Sequence, residues 1–203
     1  MPSDSLSISR RAFGAGLAAG TGFLAFALPV RALTTDQARA LIDKVVSEVN
    51  SVINSGTSEA SMFQDFERIF ATYADVATIG RSALGVAAKQ ASQAQMTAFT
   101  KAFQGYISRK YGRRFREFIG GEIIVTDSKA VKSFFEVVSV AKLKGEAPFD
   151  LRWHVSDKSG KSLFFNIIIE GVNMLASERT EVGALLDKNG GDVDKLIAMM
   201  KTI

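Results

Sequence analysis

The chain has 203 residues, of which 47% are hydrophobic and 23% charged, a composition typical of a soluble globular protein and not of a disordered or multispanning one. Its formal net charge of +4 is modest, so the basic isoelectric point does not indicate a polybasic nucleic-acid-binding protein. The absence of cysteine excludes a disulfide framework, a thiolate metal site and a cysteine nucleophile.

The amino-terminal segment predicts an export signal. The paired Arg10 and Arg11 precede an uncharged stretch rich in glycine and alanine, and a small-residue cleavage pattern ends at Ala32. This order resembles a twin-arginine signal. We expect residues 1–32 to be cleaved and residues 33–203 to form a single periplasmic domain that meets little nucleic acid. An uncleaved membrane anchor is the alternative, because the stretch nearly reaches the length of about 20 residues that spans a bilayer.

The first part of the remaining chain predicts helices. Apolar residues recur at spacings of three and four over residues 35–54 and again over residues 59–73, as on one face of an amphipathic helix. The segment 76–85 contains Gly80 and Gly85 and predicts a short helical turn or loop.

A long helix is predicted over residues 92–118. It begins with a capping-box pattern, Ser92 followed by Gln95. A single apolar stripe runs along it through Met96, Phe99, Phe103, Ile107, Tyr111, Phe115 and Phe118. Most of the basic residues near its end fall off that stripe, namely Arg109, Lys110, Arg113, Arg114 and Arg116. Such a segment could bind nucleic acid, lie on a membrane or close the mouth of an apolar pocket.

The pattern changes to strands after Gly121. Four runs are rich in β-branched and aromatic residues, and Asp157 to Gly160 supply turn residues between the last two. These runs are EIIV, SFFEVVSV, PFDLRWHVS and LFFNIIIEGV. The tail, 177–203, predicts two short helices, the second capped by Asp192. The fold class is therefore α+β, with an antiparallel sheet of about four strands covered on one face by amphipathic helices.

Residues suited to catalysis are scarce. The single histidine, His154, lies on the polar face of an alternating strand, which favours a solvated residue over a catalytic one. No His or Cys pair has the spacing of metal ligands, so we predict neither a metal nor a cofactor. Glu170 ends an apolar run, although a salt-bridged residue at a strand end explains it better than a tuned acid.

Large apolar side chains are in surplus, with 15 phenylalanines. Aromatic stripes usually form a solid core, but the same residues could line a cleft between a sheet and long helices. Periodicity alone leaves both interpretations open.

Two long stretches, residues 65–125 and 163–201, resemble the MlaC family of toluene-tolerance phospholipid-binding proteins. The resemblance is carried, in chain order, by Leu84-Gly85, Phe99, Phe103, Tyr111, the run IIIEGVNMLASER that ends at Arg179, and a closing helix after Gly191-Asp192. Each element is degenerate, and their order is the specific signal.

The resemblance implies a periplasmic carrier, and not an enzyme, that encloses glycerophospholipid acyl chains in an apolar cavity between helices and sheet. It implies exchange between an outer-membrane lipoprotein complex and an inner-membrane MCE–ABC transporter, which maintains outer-membrane lipid asymmetry and brings the protein transiently near membranes. Enclosure is needed because a chain of about 16 carbons, at about 0.8 kcal/mol per CH₂, costs on the order of 10 kcal/mol to leave in water. Three alternatives stay open: a carrier of a hopanoid-type polycyclic lipid, an envelope lipid-modifying enzyme, and a structural interaction protein without a cavity.

The predicted site has two parts. We expect the acyl chains to contact Phe99, Phe103, Ile107, Tyr111, Phe115, Trp153, Phe164, Ile168 and Val172. We expect one or more cations to meet lipid phosphate or an acidic partner surface, from Arg109, Lys110, Arg113 and Arg114. The alternative for these cations is a solvated basic face.

Overall fold

Six α-helices and five β-strands follow one another in the residues that the computed structural model describes, 32–203 without the side chains of residues 115 and 116. The predicted export signal lies outside the described residues, except for Ala32. The helices are α1 (Thr35–Ile53), α2 (Glu59–Tyr73), α3 (Val76–Leu84), α4 (Gln93–Phe115), α5 (Met174–Lys188) and α6 (Val193–Met200). The strands are β1 (Glu122–Val131), β2 (Phe134–Lys142), β3 (Phe149–Ser156), β4 (Leu163–Ile169) and β5 (Val172–Asn173).

The helix termini follow the predicted capping chemistry. Before α4, the backbone N–H of Ser92 donates to the Gln95 side chain at 3.0 Å, and the N–H of Gln95 donates to the Ser92 hydroxyl at 3.2 Å. This confirms the capping box. The Asp192 carboxylate likewise accepts backbone N–H groups at the start of α6, as predicted. The segment expected to be a turn or loop is the helix α3, followed by a 3₁₀ helix, Gly85–Lys89.

The sheet is an antiparallel meander in the order β1-β2-β3-β4-β5. The α+β fold with one antiparallel sheet is confirmed, and the sheet is slightly larger than the four strands expected. The fifth strand arises because a two-residue turn divides the last apolar run. Both turn residues have positive φ, +50° at Glu170 and +81° at Gly171, as a type I′ hairpin requires. Glu170 is thus an exposed turn residue.

Helix α1 lies across β1, β2 and β3 and fixes where the sheet begins. The Asn50 side chain makes the two hydrogen bonds that a neighbouring strand would make. Its amide N–H donates to the carbonyl of Ile123 at 2.8 Å, and its amide oxygen accepts from the Ile123 N–H at 2.9 Å. Both backbone groups of Ile123 are thereby satisfied against a helix.

The two faces of the sheet have different surroundings. Val137, Leu151, Trp153 and Val155 alternate onto the face that packs against the helices, and each is at most 3% exposed.

None of the helices in residues 32–203 combines the length and the apolar character that crossing a membrane requires.

Candidate lipid-binding site

An apolar cavity of about 50 Å³ lies between the sheet and helices α1, α2, α4 and α5. Its helical wall is made of aliphatic and aromatic side chains, among them Val45, Val49, Phe66, Ile69, Phe70 and Ile107. The polar lining residue Ser108 is satisfied within its own helix, since its hydroxyl donates to the carbonyl of Gln104 at 2.8 Å. The space therefore offers almost no hydrogen-bonding groups and suits a hydrocarbon ligand.

The sheet wall of the cavity is built on cross-strand pairs. Trp153 lies opposite Ile167, and Leu151 lies opposite Ile169. The indole N–H of Trp153 donates to the buried hydroxyl of Ser139 at 2.9 Å, which satisfies its polar atom and fixes the ring. Phe164 meets Trp153 edge to face, with ring centroids 5.4 Å apart.

The cavity is narrow for a ligand site. Pockets that enclose small molecules usually have volumes of about 300–1,000 Å³, several times the volume found here. An acyl chain can therefore enter only if the walls separate. Aromatic side chains, among them Phe66, Phe70 and Phe164, line this small space between helices and sheet.

A second cavity of about 20 Å³ continues the first toward the surface. It shares Tyr111, Leu151 and Ile169 with the larger cavity and adds Arg114 and Phe118. None of the ion pairs between described residues involves Arg114, whose side chain is exposed. We call this second cavity the mouth. It places a guanidinium where the apolar space meets solvent.

Lys110, one residue from Tyr111, belongs to a partly buried network between α4 and α5. Its ammonium donates to Glu178 at 2.7 Å and also to Glu181. The hydroxyl of Tyr111 donates to the same Glu178 oxygen at 3.0 Å, and the hydroxyl of Tyr106 donates to Glu181. Lys110 is thus committed to two carboxylates within the protein.

Glu178 is the buried centre of this network, with a fully buried side chain. Burial raises the pKa of Glu178 despite the hydrogen bonds from Lys110 and Tyr111, and its Oε2 has no hydrogen-bond partner among the described residues. Burial opposes ionisation of Lys110, but the two carboxylates raise its pKa. Sequence reasoning missed Glu178. The available signal was its position one helical turn from the apolar Met174 and Val182, which puts it on the buried face of α5.

Comparisons with known proteins identify the family. A family model, described as MlaC protein, matches residues 39–202. This chain belongs to the MlaC family. A curated relative is the intermembrane phospholipid transport system binding protein MlaC of Haemophilus influenzae, 27% identical over 134 residues. That match spans 64% of this chain and 62% of the relative, so the chain covers under two thirds of its relative's length.

A solved structure shares the MlaC-family fold. It is the phospholipid-binding protein of Ralstonia solanacearum in complex with a phospholipid, with a TM-score of 0.68 and 19% sequence identity. The superposition covers 80% of this chain and 94% of that one. The likeness shows that the arrangement of helices and sheet is the same.

Four of the predicted acyl-chain contacts in this MlaC-family chain line the cavity: Ile107, Tyr111, Trp153 and Phe164. Phe99 and Phe103 do not line it. They stack on each other, with centroids 5.7 Å apart, and are fully buried against α3, where a Cβ on Gly80 would lie 3.5 Å from both rings. The side chain of Phe115 lies outside the described residues.

The two remaining strand residues, Ile168 and Val172, also lie outside the cavity lining. A bulge shifts the pairing of β3 and β4, so that His154 lies opposite Asn166 while Val155 lies opposite Phe164. The extra residue moves Ile168 onto the opposite face of the sheet, beside Arg152. Val172, beyond the β4–β5 turn, is 60% exposed.

The predicted cations of the MlaC-family chain also have different surroundings. The guanidinium of Arg109 donates to the carbonyl oxygens of Met200 at 2.6 Å and Ile203 at 2.9 Å, which anchors the chain after α6. Arg113 is exposed in a surface groove beside Lys110 and Glu181, away from the mouth. Of the four, only Arg114 lines the mouth within the described part of the chain.

His154 lies on the face of the sheet opposite the cavity. A solvated side chain was expected, but the side chain of His154 is only 13% exposed. It is covered because its ring packs against the ring of Phe134, with centroids 4.4 Å apart. Burial lowers the pKa of His154, although Glu136 at 3.6 Å acts in the other direction. No cluster of three potential metal ligands occurs in residues 32–203.

Proposed function

We propose that this MlaC-family chain is a lipid carrier that binds a glycerophospholipid with its acyl chains in the apolar cavity and its phosphate beside Arg114. The observation that carries the proposal is a pair of adjoining apolar cavities that share Tyr111, Leu151 and Ile169. At the outer one, the mouth, a guanidinium without an ion-pair partner among the described residues is exposed. A phospholipid has the complementary order, with hydrocarbon at one end and an anionic group at the other.

The relatives support the ligand and the role. The Haemophilus protein is named for binding in an intermembrane phospholipid transport system, and the Ralstonia structure is titled as a complex with a phospholipid. We extend both to this chain. Enclosure stabilises each acyl chain of about 16 carbons by an amount on the order of 10 kcal/mol, which favours separation of the cavity walls around the lipid.

The finer parts of the proposal concern place and partners. The signal-like residues 1–32 support export to the periplasm. There the protein would exchange phospholipid between an outer-membrane lipoprotein complex and an inner-membrane MCE–ABC transporter, and so maintain the lipid asymmetry of the outer membrane. Binding without catalysis is part of the proposal, because the chemistry of a carrier requires only enclosure and release.

The structure narrows the choice of the residue that meets phosphate. Lys110 is already paired with Glu178 and Glu181, and Arg109 is bound to backbone carbonyls. A phosphate would have to break these contacts to reach either residue. Arg114 needs no such exchange, so we assign the phosphate contact to it.

Native mass spectrometry with lipid extraction tests the proposal on the protein purified from cells that make it. We expect a two-chain glycerophospholipid at about one per protein, as a single enclosed site requires. A hopanoid in its place would establish the alternative cargo. Protein that is empty after purification, and that takes up no lipid from vesicles, would contradict the carrier function.

Two neighbouring isoleucines of β4 provide a matched pair of variants. Ile167 faces the cavity, whereas Ile168 lies on the other face of the sheet. The larger side chain of phenylalanine at position 167 would occupy space that an acyl chain needs, so Ile167→Phe should lower lipid occupancy. Ile168→Phe should leave it unchanged. Equal occupancy in the two variants would place the lipid elsewhere.

A further inference from the structure

Two exposed apolar side chains flank the mouth. Among the described side chains, large apolar residues with high exposure are few: Val86 at 65%, Val172 at 60%, Ile119 at 54% and Ile203 at 39%. Ile119 directly follows Phe118, which lines the mouth. Val172 pairs with Ile169, another lining residue of the mouth. Two of the four thus lie beside the opening of the apolar space.

Ile119 and Val172 each lie next to a glycine that borders open space. Ile119 is followed by Gly120, with φ of +79°, and Val172 is preceded by Gly171, with φ of +81°. A Cβ added at either glycine would have no described atom within 4 Å. Ile119 and Val172 are therefore exposed beside backbone positions that border open space, and the exposed Arg114 lines the same mouth as their neighbours Phe118 and Ile169.

We propose that Arg114, Ile119 and Val172 form a rim that docks on the surface of a phospholipid bilayer. This inference rests on the proposed function. A lipid that leaves the cavity while the mouth is in water would expose its chains at about 0.8 kcal/mol per CH₂, and seating the mouth on a bilayer removes that penalty. Apolar side chains then enter the interfacial region, while the guanidinium meets lipid phosphates.

The charges around the rim fit a bilayer contact that depends mainly on apolar burial. Residues 113–119 and 170–172 carry three arginines and two glutamates, Glu117 and Glu170, so their net charge is only +1. Long-range attraction to an anionic surface is therefore weak, and docking should depend little on salt. An interface with an acidic protein surface would require a stronger excess of positive charge.

Vesicle flotation with phosphatidylethanolamine and phosphatidylglycerol tests the rim. We expect the double variant Ile119→Asp with Val172→Asp to bind vesicles about tenfold more weakly than the wild type, and to transfer lipid between vesicles correspondingly more slowly. Val86→Asp is the matched control, since Val86 is as exposed but lies on the 3₁₀ helix after α3, which lines neither cavity. All variants are made in the same full chain, so any contribution of residues 1–31 to vesicle binding is common to all of them.

Lipid loading from detergent micelles, read by native mass spectrometry, separates this inference from the proposed function. Ile119→Asp should load lipid like the wild type and keep the same urea midpoint, because only an exposed side chain is changed. A double variant that floats and transfers like Val86→Asp would overturn the rim. So would a wild-type protein that loads lipid but never floats with vesicles, the result expected if an acidic protein were the partner. A wild type that floats but never loads would instead contradict the carrier function.

Discussion

At the scale of single residues, Arg113 and Arg114 are neighbours in the chain with different surroundings. Both are exposed at the end of α4, but only Arg114 lines the mouth. A charge-assisted contact with phosphate contributes about 1.5–3 kcal/mol. We therefore predict that Arg114→Glu lowers phospholipid affinity at least tenfold, whereas Arg113→Glu has little effect. Equilibrium titration with a fluorescent phospholipid measures the affinity of both variants. Equal losses of affinity would contradict the assignment of the phosphate contact to Arg114.

The ion pair between Lys110 and Glu178 gives a second prediction at this scale. Lys110→Met leaves a fully buried carboxylate without its cation and should lower the free energy of unfolding by roughly 3 kcal/mol. This value is at the lower end of the range for a broken buried ion pair, because the Lys110 side chain is 31% exposed. Urea unfolding measures the loss. The double variant with Glu178→Met should recover most of it, since an apolar pair removes the buried charge. A loss below about 1 kcal/mol in Lys110→Met would contradict this account.

The pH dependence of the same variant has a defined sign. Without Lys110, the folded-state pKa of Glu178 rises further above its ordinary value of 4.5, because burial is then opposed less. The folded protein then binds more protons than the unfolded chain above pH 4.5. Stability of Lys110→Met relative to the wild type should therefore fall as pH rises from about 4.5 toward neutrality. If the difference in unfolding free energy between Lys110→Met and the wild type does not vary over this pH range, titration of Glu178 does not cause the destabilisation.

At the scale of elements, α2 and α4 are in close contact at Gly112. A Cβ at this position would lie 2.7 Å from the ring of Phe63, and Gly112 also lines the cavity. Gly183 of α5 has no such neighbour among the described atoms, so Gly183→Ala should gain up to about 1 kcal/mol from helix propensity. We predict that Gly112→Ala is less stable than Gly183→Ala by about 1–3 kcal/mol, the usual cost of overpacking.

Thermal or urea unfolding measures this difference, and Phe63→Ala supplies the control. Removing the ring should abolish the penalty at Gly112 if the clash is its cause. A penalty that persists in the Phe63→Ala background would assign it to another contact.

The elements themselves were predictable wherever local chemistry decides them. The apolar period of α1 and α2 and the Ser92–Gln95 capping box indicated helices close to those observed. The bulge between β3 and β4 was not predictable, because one unpaired residue reverses the faces of all later positions without altering composition. This is why Ile168 was expected beside Phe164 but lies on the other face.

At the scale of the whole molecule, the sequence indicated the fold and family but not the shape of the site. Phe99 and Phe103 belong to the same apolar stripe as Ile107 and Tyr111, yet only the latter two line the cavity. The position of α3 decides which part of the stripe is covered, and this depends on packing between distant segments. The same limit applies to Glu178, whose burial depends on the packing of α5 against α3 and on contacts with Lys110 and Tyr111 of α4.

Ligand entry is also a property of the whole molecule. The cavity of about 50 Å³ has to widen several-fold to hold acyl chains, and its walls come from four helices and two strands. Widening therefore requires the helices to move relative to the sheet. Under the proposed function, the aromatic side chains that line the cavity here would also line it around bound lipid.

Quenching of Trp153 fluorescence tests the central claim most directly. Trp153 is the only tryptophan in the chain, and it lies in the cavity wall. The account predicts strong, saturable quenching by a phospholipid that carries bromine atoms on its acyl chains, with saturation near one lipid per protein. The same lipid brominated at the head group should quench weakly. Bound lipid that leaves Trp153 unquenched, or that quenches equally from both positions, would show that the acyl chains do not occupy this cavity.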